Sequence, residues 1–392
     1  MRYAQLCNAI ADQPFPCAVL DLDAFDHNLA AMAARAGGKP IRLASKSIRV
    51  PALMRRALDA NRSWQGLLCF SVPEAIQLAN LGFDDIVVAY PTCQPAALEA
   101  LAAAVKAGRQ IVPMADCDAH LQALSQAAER LDTRLEVAFD LDMSFDLPGL
   151  RFGVYRSPLN DVEKTLRLYQ QLNRFPRLQL VGVMGYEAQI AGVGDAVPGK
   201  LAENQIVRLL KQWATPKVAA RRQAIVAALR AAGAALRFVN GGGTGSLEST
   251  AADASITEIG AGSGLYTPTL FDYYRHFQHQ PAAFFALEAC RASQADSITC
   301  QGGGYIASGA AATLKLPSPV WPEGLAFNHN EAAGEVQTPL FGTELPALGS
   351  PILFRPAKSG EYLDRFDEVL LVSGEQVQGK ATTYRGRGWR FF

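Results

Sequence analysis

The chain has 392 residues, of which 49% are hydrophobic, and its 37 basic residues are balanced by 37 acidic residues. A net charge of zero creates no long-range field for nucleic acid or an anionic membrane, so we expect neither as a partner. Seven dispersed cysteines without a CxxC pair, and an N-terminus without a sustained apolar segment, favour a reduced cytoplasmic protein over a secreted one.

A regular alternation of strand and helix patterns follows a short N-terminal segment. Residues 1–16 are predicted to pack on a later β domain. Beyond them, eight short apolar segments predict strands buried on both faces, at 41–46, 66–71, 85–90, 110–116, 135–142, 180–187, 237–243 and 256–262. Segments with helical periodicity separate them, at 50–60, 73–82, 95–108, 119–131, 160–175 and 220–233.

This alternation predicts an α/β fold with a (β/α)8 TIM barrel over residues 17–275. Parallel strands need helical connections, and eight such units in roughly 220 residues approach the size of a TIM barrel. An open doubly wound sheet is the alternative, but no GxGxxG motif follows the first strand. The remaining residues, 276–392, contain strand-like segments in a Pro- and Gly-rich setting without a clear helical pattern. They predict a second, mainly β domain.

Two glycine-rich loops follow the last two predicted barrel strands. Gly242, Gly243 and Thr244 follow the seventh strand, and Gly262 and Ser263 follow the eighth. Glycines let backbone N–H groups converge on an anion, and TIM barrels often bind a phosphate group at this place. Tight turns alone would explain one such loop, but two adjacent loops favour a phosphate site.

Lys46 ends the first predicted barrel strand, where it would point into the barrel mouth. A strand-end lysine is often only a solvated cation. Desolvation and a nearby cation can instead lower its pKa and make the amine a nucleophile. Pyridoxal 5′-phosphate (PLP) has a carbonyl group at one end and a phosphate at the other. A lysine opposite a phosphate site therefore favours PLP as the cofactor, held by Lys46 as a Schiff base.

The sequence resembles the fold-type III PLP enzymes, in particular the D-threonine aldolase/D-serine dehydratase group related to alanine racemase. The resemblance rests on Lys46 after the segment PCAVLDLDAFDHNLAAM, on RFGV with Arg151, on the Tyr-Glu pair at Tyr186, and on the loops VNGGGTGS and GSGLY. It covers nearly the whole chain and includes the order of the barrel and the β domain.

The resemblance implies roles for several residues. Lys46 would hold the cofactor, Arg151 would lie near its 3′-oxygen, and Tyr186 would lie near its ring nitrogen. The phosphate would be held by Gly242, Gly243, Thr244, Gly262 and Ser263. The alternatives are a surface salt bridge for Arg151 and a core position for Tyr186.

The chain departs from the family where metal-dependent members bind a metal. Those members carry a His and a Cys or Asp, two positions apart, in the C-terminal domain. The matching stretch here, Arg355-Pro356-Ala357-Lys358-Ser359-Gly360, lacks both, so we expect no metal at that place. Lys358 is predicted to replace part of the metal's electrostatic role, although it could be a solvated loop lysine. His329 is a further catalytic candidate, because the family has active-site loops in that part of the second domain.

The predicted function is PLP-dependent cleavage of the Cα–Cβ bond of a D-β-hydroxy-α-amino acid, the small-molecule substrate of a lyase. Dehydration or racemisation on the same fold is the first alternative. A PLP-binding protein without catalysis and a barrel aldolase acting on a phosphorylated sugar are the others. The resemblance also implies a symmetric homodimer, in which the β domain of one subunit closes the barrel mouth of the other.

Overall fold

The structure is a computed structural model and describes residues 2–328 and 330–391. Helix α1 (Arg2–Ala9) and strand β1 (Cys17–Asp21) open the chain. Leu6 and Ile10 are buried in one apolar cluster with Phe284 of the second domain. The hydrophobic residues of this N-terminal segment therefore contact the second domain. Among the described residues, no helix is long and apolar enough to cross a membrane.

Eight parallel strands form a closed barrel, which confirms the predicted architecture. All residues of the first, third and fourth of these strands are buried, as expected for strands covered on both faces. In chain order the barrel strands are β2 (Ile41–Ala44), β3 (Trp64–Cys69), β4 (Ile86–Val88), β5 (Ile111–Ala115), β6 (Leu135–Asp140), β9 (Leu178–Gly185), β10 (Phe238–Gly241) and β11 (Glu258–Ala261). Strands β7 (Phe145–Leu147) and β8 (Leu150–Phe152) form a separate hairpin after β6.

The helices that follow β1 are α2 (Leu22–Arg35), α3 (Pro51–Ala60), α4 (Val72–Asn80), α5 (Pro95–Lys106), α6 (Asp118–Arg130), α7 (Val162–Leu172), α8 (Ala188–Ala191), α9 (Leu201–Ala231) and α10 (Leu247–Ala251). Six of them overlap the predicted helical segments, namely α3 to α7 and α9, whereas α2, α8 and α10 were not predicted. Helix α2 precedes the first barrel strand, and the others lie between barrel strands. Helix α9 has 31 residues, whereas the sequence pattern predicted only residues 220–233. Its N-terminal half exposes Leu201, Ile206 and Leu209 and contains Pro216, so hydrophobic periodicity does not predict that half.

The second domain is mainly β, as predicted. Its strands are β12 (Ala283–Gln294), β13 (Ser297–Gln301), β14 (Ser318–Trp321), β15 (Ala326–Phe327), β16 (Gln337–Phe341), β17 (Pro351–Arg355), β18 (Glu368–Ser373) and β19 (Gln376–Thr382). Strand β1 joins this nine-stranded sheet between β12 and β18. The predicted barrel segment 17–275 is therefore wrong at β1, which belongs to the sheet of the second domain and not to the barrel. The prediction missed this because the partners of β1 in β12 lie more than 260 residues away in sequence.

Candidate active site

A cleft of about 580 Å³ opens at the C-terminal ends of the barrel strands. This is the end at which TIM barrels carry their active sites. Lys46, Tyr186 and both glycine-rich loops line the cleft from the barrel, and Ser308 and Lys358 line it from the second domain. The structure thus brings together most of the residues that the sequence singles out.

Lys46 lies in a short 3-10 turn, Ser45–Ser47, directly after β2. Its neighbours fix the turn, since the Ser45 hydroxyl donates a 3.1 Å hydrogen bond to the carbonyl oxygen of Leu68, and Ser47 and Ser263 share a 2.8 Å hydrogen bond between hydroxyls. Both serines are buried, whereas Lys46 is exposed to the cleft. The turn therefore holds the Lys46 backbone and leaves its amine accessible.

Tyr90, two residues after the end of β4, is a hydrogen-bond partner of Lys46. The Lys46 ammonium donates a 3.4 Å hydrogen bond to the Tyr90 hydroxyl. Burial alone would raise the pKa of Tyr90, but the positive charges of Lys46 and Arg156 outweigh it and hold this pKa below its usual value. The two side chains therefore form a hydrogen-bonded pair inside the cleft.

The glycine loops present a surface of backbone without side chains. Gly242 adopts a φ of 78°, in the region that favours glycine, and its N–H donates a 3.0 Å hydrogen bond to Glu187. A Cβ on Gly243 would lie 3.1 Å from the Cβ of Ala191, and one on Gly262 would lie 2.8 Å from the carbonyl oxygen of Ala44. Side chains at these two positions would therefore crowd Ala191 and Ala44, so glycine lets both loops pack closely against the barrel.

Thr244 and Ser263 begin the 3-10 turns that follow the two glycine loops. The first N–H groups of such a turn have no acceptor within the turn itself. The Thr244 hydroxyl accepts a 3.0 Å hydrogen bond from Gly264, which ties one loop to the other. Backbone donors and hydroxyl groups on two joined loops suit a phosphate group, so the residues present fit the phosphate end of PLP.

Arg156 lies between two aromatic rings of the cleft. Its guanidinium carbon is 5.3 Å from the ring centroid of Tyr90 and 5.2 Å from that of Tyr186. Burial raises the pKa of Tyr186 to about 12, so its hydroxyl stays protonated at neutral pH. Burial also raises the pKa of Asp140, at the end of β6, to about 7, although the charge of Arg156 opposes the shift.

The structure does not bring Arg151 to the cleft, contrary to the prediction. Arg151 lies on β8 and donates hydrogen bonds to Asp142 at 2.5 Å and to Asp146 at 2.9 Å. These two carboxylates bind its guanidinium within the hairpin region. Arg156, five residues later, lines the cleft instead.

Lys358 forms part of the cleft wall that the second domain supplies. Its ammonium donates hydrogen bonds to the Ser308 carbonyl oxygen at 2.7 Å and to the Ser308 hydroxyl at 3.1 Å. Glu361 accepts a 2.8 Å hydrogen bond from the same hydroxyl. Burial, followed by the charge of Lys358, lowers the pKa of Lys315. The stretch 355–360 thus contributes a cation to the cleft and no imidazole, thiol or carboxylate for a metal.

A buried charged group that the sequence analysis missed supports the first glycine loop. Arg222 of α9 is 1% exposed in its side chain and donates to Glu187 at 2.8 Å and to Asp253 at 2.6 Å. Thr250 also donates a hydrogen bond to Glu187. The only signal in the sequence was the position of Glu187, beside Tyr186 at a strand end. His329, the other predicted catalytic residue, lies outside the described residues.

The chain is similar over nearly its whole length to a D-threonine aldolase of Arthrobacter sp. The two are 25% identical over 382 residues, which cover 96% of this chain and 93% of that protein. A 3-hydroxy-D-aspartate aldolase of Paracoccus denitrificans strain Pd 1222 is 25% identical over 256 residues. That match covers 63% of this chain and 59% of the Paracoccus protein.

Solved structures share the arrangement of both domains. The D-threonine aldolase from Filomicrobium marinum superposes with a TM-score of 0.81 at 21% identity, over 97% of each chain. The D-threo-3-hydroxyaspartate dehydratase from Delftia sp. HT23 superposes with a TM-score of 0.77 at 18% identity, over 96% of this chain and 98% of that one. At these identities the likeness is one of fold.

The family itself follows from the barrel sequence. A family model described as the N-terminal domain of alanine racemase matches residues 20–269, which is more than half of the chain. The match spans the segment that carries Lys46 and both glycine loops. This chain therefore belongs to the alanine racemase N-terminal-domain family, the fold-type III enzymes that use pyridoxal 5′-phosphate.

Proposed function

We propose that the protein cleaves the Cα–Cβ bond of a D-β-hydroxy-α-amino acid, giving glycine and an aldehyde, without the metal of its metal-dependent relatives. The observation that carries the proposal is that Lys46, the two glycine loops and Lys358 line one cleft. The whole-length similarity to a D-threonine aldolase supports the same activity.

Different residues of the cleft would contact different parts of the cofactor. Lys46 would hold PLP covalently through its amine, and the phosphate would lie on the loops that contain Gly242, Gly243, Thr244, Gly262 and Ser263. Tyr186 and Arg156 would contact the ring, with Arg156 in the role first expected of Arg151. Bound PLP supplies an electron sink for the electron pair released when a bond at Cα breaks.

The chain itself must hold the substrate hydroxyl and move its proton. Lys358, an ammonium donor already paired with Ser308, could donate a charge-assisted hydrogen bond to the β-hydroxyl and favour its loss of a proton. A base must accept that proton. Tyr90, whose pKa is held low beside Lys46, and His329 are the candidates. The Cα–Cβ bond then breaks, the aldehyde leaves, and Cα takes up a proton to give glycine.

Dehydration is the second candidate, supported by the fold shared with the Delftia dehydratase. It breaks the Cα–H bond and expels the β-hydroxyl as water. The resulting enamine becomes an imine, which a water molecule hydrolyses to a 2-oxo acid and ammonia. The two reactions consume the same class of substrate but release different products. Product identity therefore decides between them.

The test uses the purified holoenzyme with D-threonine, its β-hydroxy analogues and their L-enantiomers. We expect equal amounts of glycine and aldehyde from a D-substrate and no turnover of the L-enantiomer. Release of ammonia with a 2-oxo acid would assign dehydration instead, and racemisation without cleavage would reject the lyase assignment. We also propose a homodimer, which would give a light-scattering mass of twice the 42.1 kDa chain.

A further inference from the structure

Asp116, Cys117 and His120 form a cluster of three metal-binding side chains outside the cleft. One potential ligand atom from each residue lies within 4.8 Å of the other two. The Nδ1 atom of His120 is 2.9 Å from Oδ1 of Asp116 and 3.3 Å from Sγ of Cys117. None of the three residues lines the cleft described above.

Local structure explains why these side chains converge. Asp116 follows the last residue of β5, Cys117 is the N-cap of α6, and His120 lies in the first turn of that helix. Side chains at the N-cap and three residues later meet at a helix start. The backbone N–H groups of Ala119 and His120 lie near the Cys117 sulfur, which makes no regular side-chain capping hydrogen bond.

The hydrogen-bond pattern around Nδ1 of His120 is unsuited to a single proton. A proton on Nδ1 can be donated to Asp116, but it then faces the backbone N–H of Asp116, which points at the same nitrogen from 3.4 Å. Without that proton, Nδ1 accepts from the N–H but faces a carboxylate oxygen at 2.9 Å, and both atoms then present lone pairs. In that state the lone pairs of the carboxylate oxygen, the sulfur and Nδ1 converge, and a cation between them would remove their repulsion.

We infer that Asp116, Cys117 and His120 bind a divalent cation of the zinc type. Zinc bonds of about 2.0–2.3 Å to oxygen, nitrogen and sulfur place neighbouring ligand atoms about 3–4 Å apart, close to the distances in the cluster. Thiolate and imidazole ligands favour zinc over magnesium or calcium, which prefer oxygen. The thiolate and the carboxylate together balance the charge of the ion.

The site is accessible and has an open position. The side chains of His120 and Asp116 are 18% and 11% exposed, so an ion can enter from solvent. Three protein ligands leave a fourth position for water. Bound zinc would link the end of β5 to the first turn of α6, and all three ligands lie within the five residues 116–120. The inference does not depend on the proposed lyase activity.

Zinc content after desalting tests the site. The PLP-loaded protein is treated with a chelator, incubated with Zn²⁺, desalted and analysed for zinc and for bound PLP. We expect about one zinc per chain in the wild type and in the control Cys93→Ser, which removes an exposed cysteine. In Cys117→Ser and His120→Asn we expect at least a tenfold loss of retained zinc, with unchanged PLP content.

Two measurements on the wild-type protein keep the test decisive if a variant fails to fold. X-ray absorption of the zinc-loaded protein should detect a sulfur ligand at about 2.3 Å. Zinc should also slow alkylation of Cys117 by iodoacetamide and leave that of Cys93 unchanged. A wild-type protein that retains no zinc, equal zinc in all four proteins, or a metal shell without sulfur would overturn the site.

Discussion

The carboxylate of Glu187 accepts a 3.0 Å hydrogen bond from the backbone N–H of Gly242. One residue thus connects the end of β9 to the glycine loop after β10. Glu187 is itself held by the buried guanidinium of Arg222. The loop proposed to hold the cofactor phosphate therefore rests on a buried ion pair beneath it, and its shape depends on a contact between three chain segments.

Replacing Glu187 with Gln should destabilise the protein and loosen the loop. Breaking one partner of a buried ion pair costs about 3–5 kcal/mol, and the remaining contact of Arg222 with Asp253 keeps the loss near the lower limit. Chemical denaturation measures this loss, and dialysis measures PLP retention. The matched control is Glu136→Gln, whose partner Arg237 is about half exposed, and it should cost under about 1 kcal/mol. Equal losses in the two variants would contradict the role of Glu187.

Replacing Lys46 with Ala should abolish turnover and the visible absorbance of lysine-bound PLP, which borohydride removes in the wild type. The fold should survive, because Lys46 is exposed in the cleft and its neighbours Ser45 and Ser47 anchor the turn. Circular dichroism checks the fold, and Lys164→Ala on the surface of α7 serves as the control. Undiminished activity in Lys46→Ala would reject the assignment.

Sequence pattern predicted the barrel because its strands are buried on both faces and carry a local signal in every segment. It also predicted that Lys46 and the glycine loops lie together, since each directly follows a strand and all parallel strands of the barrel end at one mouth. Gly242 adopts a φ of 78°, which favours glycine, whereas the backbone of Gly243 is extended at a φ of −163°, which any residue can adopt. Such a difference between adjacent glycines leaves no trace in sequence.

The interactions that sequence did not predict depend on distant partners. Arg151 and Arg156 lie five residues apart after the same strand, and the carboxylates of Asp142 and Asp146 determine which one is bound away from the cleft. Strand β1 joins the second domain because its partners come from the far end of the chain. Local patterns carry no information about such pairings.

The two arginines can be told apart by substitution. Arg156→Met should lower PLP retention and turnover, because it removes the cation between Tyr90 and Tyr186. It should also raise the pKa of Tyr90, which Arg156 helps to lower. Arg151→Met should instead reduce stability by removing the cation that pairs with Asp142 and Asp146, with PLP retention unchanged. Cofactor content after dialysis and thermal melting of both variants measure the difference. Loss of PLP only in Arg151→Met would restore the original assignment.

Turnover should survive exhaustive chelation and fall sharply in Lys358→Met, which keeps most of the side-chain length but removes the charge. The stretch 355–360 offers an ammonium group where metal-dependent relatives have ligands, so the β-hydroxyl would be polarised by Lys358 alone. Losing one such preorganised donor costs about a hundredfold or more in kcat. The control is Lys380→Met, which should leave kcat unchanged, because Lys380 lies on β19, pairs with Glu368 and does not line the cleft.

Chelation should also remove zinc from Asp116, Cys117 and His120, but that site does not line the cleft. If chelation abolished turnover and manganese restored it, a metal would act on the substrate, and the preference of manganese for oxygen ligands would point to a site other than the Cys117 cluster.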